Sequence, residues 1–109
     1  MPNQQWRLSR YVHEDGSEPF SEWLNGLDRQ VQRRVRVAVA RLEAGNFSSV
    51  KWIGGNLGEF RIDTGPGYRI YLTRYGKDGI VLLTGGDKNS QARDIAVAKT
   101  LLHSLKEKG

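Results

Sequence analysis

Arg61 and Arg69 lie on two consecutive segments that alternate apolar and polar residues, and Lys88 follows a third. A guanidinium is always charged and presents a planar fork of donors, so it can offset charge that develops on a phosphate. Side chains alternate faces along a strand. Phe60 and Ile62 are expected to point one way, Arg61 and Asp63 the other; Tyr68, Ile70 and Leu72 likewise oppose Arg69 and Tyr71. The pattern predicts a sheet with one oily face and one open face carrying cations and a phenol, on which phosphates and bases could rest. The competing expectation is that the arginines pair with Asp63 or Glu59, or are simply solvated.

Gly85-Gly86-Asp87-Lys88 reads as a turn closing the third strand. Lys88 would add a third cation at the edge of the same face. Asp87 suits the N-cap of the final helix better than it suits chemistry. The Walker spacing with its Lys-Ser/Thr is missing, which excludes a nucleoside-triphosphate loop. Arg29, Arg33, Arg34, Arg36 and Arg41 decorate one helix; this could bind RNA directly, but the solvated back of an amphipathic helix is the favoured reading. Lys51-Trp52 offers a cation and a stacking ring, and Trp52 is equally suited to a core. His13 and His103 have no metal-ligand neighbours and cysteine is absent, so neither a zinc site, a thiolate nor a disulfide is expected.

These residues need elements to hold them. Trp6 to Val12 alternates as a strand. A short helix begins near Ser17 to Pro19, with Phe20, Trp23, Leu24 and Leu27 as its stripe, and ends at Asn25-Gly26. Asp28 caps a longer helix whose Val31, Val35, Ala38 and Leu42 form a clear face, closed by Gly45-Asn46. Residues 47–56 read as irregular. Three strands follow, about 57–64, 67–75 and 79–85, joined by Gly65-Pro66-Gly67 and by Gly76-Lys77-Asp78-Gly79, hence antiparallel. A last helix from Asn89 or Ser90 carries Ile95, Ala98, Leu102 and Leu105 on one side. The fold class is α+β in the order β-α-α-β-β-β-α, with a helical hairpin and C-terminal helix packed on a small, largely antiparallel sheet, the helices on one sheet face.

The 109 residues suit one domain, 1–109, with a modest core. A net charge of +5 favours an anionic partner, nucleic acid or an acidic protein. Met1-Pro2-Asn3-Gln4-Gln5 lacks the apolar stretch of a signal peptide, and no segment approaches a membrane span, so a cytoplasmic protein with no membrane partner is expected.

The stretch Leu57-Gly58-Glu59-Phe60-Arg61-Ile62-Asp63, then Gly65-Pro66-Gly67-Tyr68-Arg69-Ile70-Tyr71, then Leu82 through Ile95 with its Gly85-Gly86-Asp87-Lys88, resembles the RelE/ParE toxin superfamily, and within it the HigB-like addiction module killer branch. Pro19-Phe20-Ser21-Glu22-Trp23-Leu24 and the arginine helix resemble that branch too. The resemblance implies the RelE-like fold and the toxin of a type II toxin–antitoxin pair: an mRNA endoribonuclease acting at the ribosome without metal or other cofactor. Its partners would be mRNA, the ribosome and a cognate helix-turn-helix antitoxin, with a heterotetramer among the assemblies it allows. Arg61, Arg69 and Lys88 match the family's catalytic cations. Tyr71, Lys51 and Trp52 would contact RNA, and Asp63 and Asp87 stand with Tyr71 and Lys88 as proton-transfer candidates. ParE-like relatives inhibit DNA gyrase without nuclease activity, which is the alternative, beside a decayed module that only binds its antitoxin.

Overall fold

Asp28 starts the long helix by accepting the backbone N–H of Val31 on its Oδ1, 3.1 Å away, and Val35, Ala38 and Leu42 bury one face of it. In the computed structural model, which describes residues 6–108, that helix is α2 (Arg29–Glu43). It follows α1 (Pro19–Asn25), which opens on its proline and buries Phe20 and Leu24. The strands are β1 (Arg7–Arg10), β2 (Val50–Trp52), β3 (Leu57–Ile62), β4 (Tyr68–Tyr75) and β5 (Gly79–Gly86), and a 3₁₀ turn, Lys88–Ser90, leads into α3 (Gln91–Lys108). The opening pentapeptide lies outside the described residues.

The five strands form one sheet in the order β1-β5-β4-β3-β2. Only β1 runs parallel to its neighbour, placing Arg7 beside Gly79; the other pairs are antiparallel, with an irregularity between Tyr71 and Leu72. β2 falls in the segment read as irregular. Its three residues are too few to display an alternation, and their pairing with β3 is what makes them a strand.

The expectation of helices on one face is corrected. Phe60, Ile70, Leu72, Ile80 and Leu82 pack with α1 and α2 residues in one core. Leu57, Tyr71, Val81 and Leu83 pack with Ala98, Leu101 and Leu102 of α3 in a second. The sheet is therefore covered on both sides. Ile80, Val81, Leu82 and Leu83 are all buried and alternate between the two cores, as an unbroken apolar run requires. On the face expected to stand open, Arg69 and the Tyr71 phenol are buried on the α3 side, and Arg61 stays exposed.

Candidate functional site

The ends of β3, β4 and β5 meet at one edge of the molecule. Arg61 faces Arg69 across the β3–β4 ladder, and Arg69 faces Gly86 across β4–β5. Adjacent strands lie about 4.8 Å apart, so these positions stand abreast. Their surroundings differ: Arg69 is buried and Arg61 is exposed.

Arg69 is 4% exposed, which corrects the expectation of an open guanidinium. Its Nη1 donates to the Gly67 carbonyl at 2.8 Å, fastening the tip of the β3–β4 hairpin. Its Nε lies 3.6 Å from Oε2 of Glu59, itself buried, and has no hydrogen-bond partner. The same Glu59 oxygen accepts from the Tyr71 hydroxyl at 3.1 Å and from Gln91 Nε2 at 2.9 Å. The carboxylate thus joins β3, β4 and the first turn of α3. Tyr71, fully buried, cannot meet RNA as placed here. Burial pushes its phenol far above the ordinary tyrosine value, and the neighbouring Glu59 charge adds to the shift. Folding stability should therefore be whole below about pH 10 and fall as pH rises beyond it, because the unfolded chain releases a proton that folded Tyr71 keeps. Denaturation midpoints measured across that range should fall less steeply in Tyr71→Phe.

Gly85-Gly86 is not a turn but the end of β5. Adjacent strand residues face opposite ways, and here each glycine admits a side chain from a different layer. A methyl on Gly85 would strike the Trp23 ring of α1; one on Gly86 would strike the Asp94 carboxylate of α3. Asp94 also accepts a short hydrogen bond from Ser90 Oγ. Asp87 is the cap it was expected to be: its Oδ1 accepts from the backbone N–H groups of Asn89 at 2.8 Å and Ser90 at 3.2 Å. Lys88 is exposed beside Gly67, near the Arg69 fork.

Arg61 is exposed and turns toward α2 instead. With Asp63, Ser49, Phe60 and Ile62 it lines a groove of about 390 Å³, whose other wall is Arg33, Arg34, Val37, Ala38 and Arg41. The helix arginines are the feature that sequence reasoning set aside as solvated. Among the described residues none of these arginines is ion-paired, Arg61 with Asp63 included. Lys51 and Trp52 lie on the edge strand β2, and Trp52 is 43% exposed rather than core. No cluster of metal-ligating side chains occurs among the described residues.

A mostly antiparallel sheet covered by helices on both sides, with basic side chains where three strands end, defines a small α+β domain. The chain belongs to the family of phage-derived proteins described as Gp49-like (DUF891), whose model matches residues 22–104. That family is related to the toxins of toxin–antitoxin pairs, of RelE/HigB-like kind, which suggests an antitoxin as partner. The chain is also similar to an uncharacterized protein of Haemophilus influenzae, with 38% identity over 87 residues, covering 79% of this chain and 88% of that protein. No helix among the described residues is long and apolar enough to cross a membrane.

Proposed function

We propose that this protein is the toxin of a type II pair, of the HigB-like branch, acting in the cytoplasm as a metal-independent mRNA endoribonuclease at the ribosome. The observation that carries the reading is the exposed, unpaired Arg61 beside exposed Asp63, at the strand ends that also lead to Lys88. The ribose 2′-OH attacks the adjacent phosphate; its oxygen bonds to phosphorus, its proton passes to Asp63, and the 5′-oxygen leaves with a proton from Lys88. Arg61 offsets the charge on the phosphorane. Asp87 is committed to the helix cap and Tyr71 to Glu59, which leaves Asp63 and Lys88 to move protons. Lys51 and Trp52 offer flanking contacts to phosphate and base from β2. Arg69 serves by holding the Gly67 hairpin in place, behind the reacting groups.

One observation favours the alternative of a gyrase inhibitor: Arg69, matched by resemblance to a catalytic cation, is buried and paired with Glu59. Mapping mRNA ends in a translating extract decides between the two. Cuts at defined codon positions are expected, falling by about a hundredfold in Arg61→Ala, as for loss of one transition-state donor, with an unchanged melting temperature. Intact transcripts together with blocked supercoiling by the purified protein would transfer the assignment to gyrase.

A further inference from the structure

α2 turns a strongly basic face toward the groove. Arg29 follows the capping Asp28, and Arg33, Arg34 and Arg41 line the groove, where Asp63 is the one carboxylate and no ion pair forms among the described residues. Between the arginines Val37 is 54% exposed, one turn after Arg33 and one before Arg41, above a floor that includes Ala38, Phe60 and Ile62. Arg33 to Arg41 covers about 12 Å of helix axis. An exposed aliphatic residue framed by guanidinium groups calls for two kinds of contact at once.

We infer that this groove docks an acidic amphipathic segment of a partner polypeptide, with carboxylates on the arginines and one aliphatic side chain over Val37. Charge complementarity selects the sign of the partner, since the lining holds Arg33, Arg34, Arg41 and Arg61 against Asp63 alone. The floor selects its class. Phosphates would satisfy the guanidinium groups but leave the exposed Val37 without an apolar partner. The exposed rings Trp52 and Tyr75, on which bases could stack, do not line the groove. A peptide helix or strand supplies both contacts. The inference stands apart from RNA cleavage except at Arg61, which both use: a docked segment would compete with RNA for that one guanidinium.

The test titrates the full chain, isotope-labelled, with a synthetic peptide that carries a leucine with glutamates one helical turn to either side. The amides of residues 33–41 and 61–63 should shift. The dissociation constant should rise by about tenfold in Val37→Ser, in keeping with loss of a central apolar contact, and further in the double variant Arg33→Glu/Arg41→Glu. The double variant Arg29→Glu/Arg36→Glu, on the same helix but outside the groove lining, should bind nearly as the native chain does. Three results would each overturn the inference: no shift; equal binding of a peptide with serine in place of the leucine; or equal loss in the Arg29/Arg36 variant, which means diffuse attraction. An oligouridylate that binds the same amides more tightly than the peptide would assign the groove to nucleic acid. No nuclease readout enters, so the groove and the cleavage reading fail separately.

Discussion

Glu59→Ala should destabilise the domain by about 3–5 kcal/mol, the usual cost of leaving a buried charge without its partner. Arg69 is 4% exposed and Glu59 3%, so neither charge has water to fall back on. The substitution also strips the acceptor from Tyr71 and Gln91. Total stability of a domain this size is about 5–15 kcal/mol, so the loss should show as a large drop in the urea midpoint. If the variant does not fold at all, the informative companion is Glu59→Leu combined with Arg69→Met. Replacing both charges with apolar groups of similar bulk is expected to recover most of the loss, because the desolvation penalty goes with them. A double variant as unstable as the single one would mean that the ion pair is not what the substitution breaks. The same reasoning revises what Arg69→Ala alone can report. It orphans Glu59 beneath α3, so lost activity in that variant would confound unfolding with chemistry.

Gly86→Ala is the second large effect. The new methyl would occupy the place of the Asp94 carboxylate. Overpacking of this kind costs about 1–3 kcal/mol, and more where the obstacle cannot swing away. Asp94 is held by Ser90 Oγ at the start of α3, so relief requires its carboxylate to swing away and give up that hydrogen bond. Asp94→Ala in the same chain removes the obstacle. The two substitutions together should therefore cost less than the sum of the separate losses, measured as a coupling in a double-mutant cycle. Strict additivity would show that the close approach at Gly86 plays no part. Gly85 makes the corresponding approach to Trp23 on the other side of the sheet.

Much of this architecture was legible in the residues. Asp28 and Asp87 cap helices as their positions suggest, and the Gly65–Gly67 hairpin and the apolar faces of α1 and α2 fall where the pattern puts them. The site was harder to read. Period two places Arg61 and Arg69 on a common side of the sheet, but it says nothing of what covers that side. The stripe Ile95, Ala98, Leu102 on α3 announces a buried face without naming the surface it meets. The signal that both sheet faces were occupied is the run Ile80-Val81-Leu82-Leu83, which leaves no polar side for β5. The pairing of Arg69 with Glu59 is a diagonal relation across β3 and β4. It follows from Arg61 facing Arg69 and Glu59 facing Tyr71, and so becomes visible only once register is known. The twin glycines resembled a loop because sequence shows a missing side chain but not the neighbour that fills its place.

The parallel pairing of β1 with β5 has a bearing on how this chain is made. Arg7 is made well before its ladder partner Gly79, with both helices of the hairpin and three strands between them. The layer that shields Arg69 and Tyr71 follows β5 in the chain and is made after the strands it covers. Neither sheet border nor second core can close on a nascent fragment that lacks β5 and α3, so the two-sided sheet and its basic rim form only after both have been made.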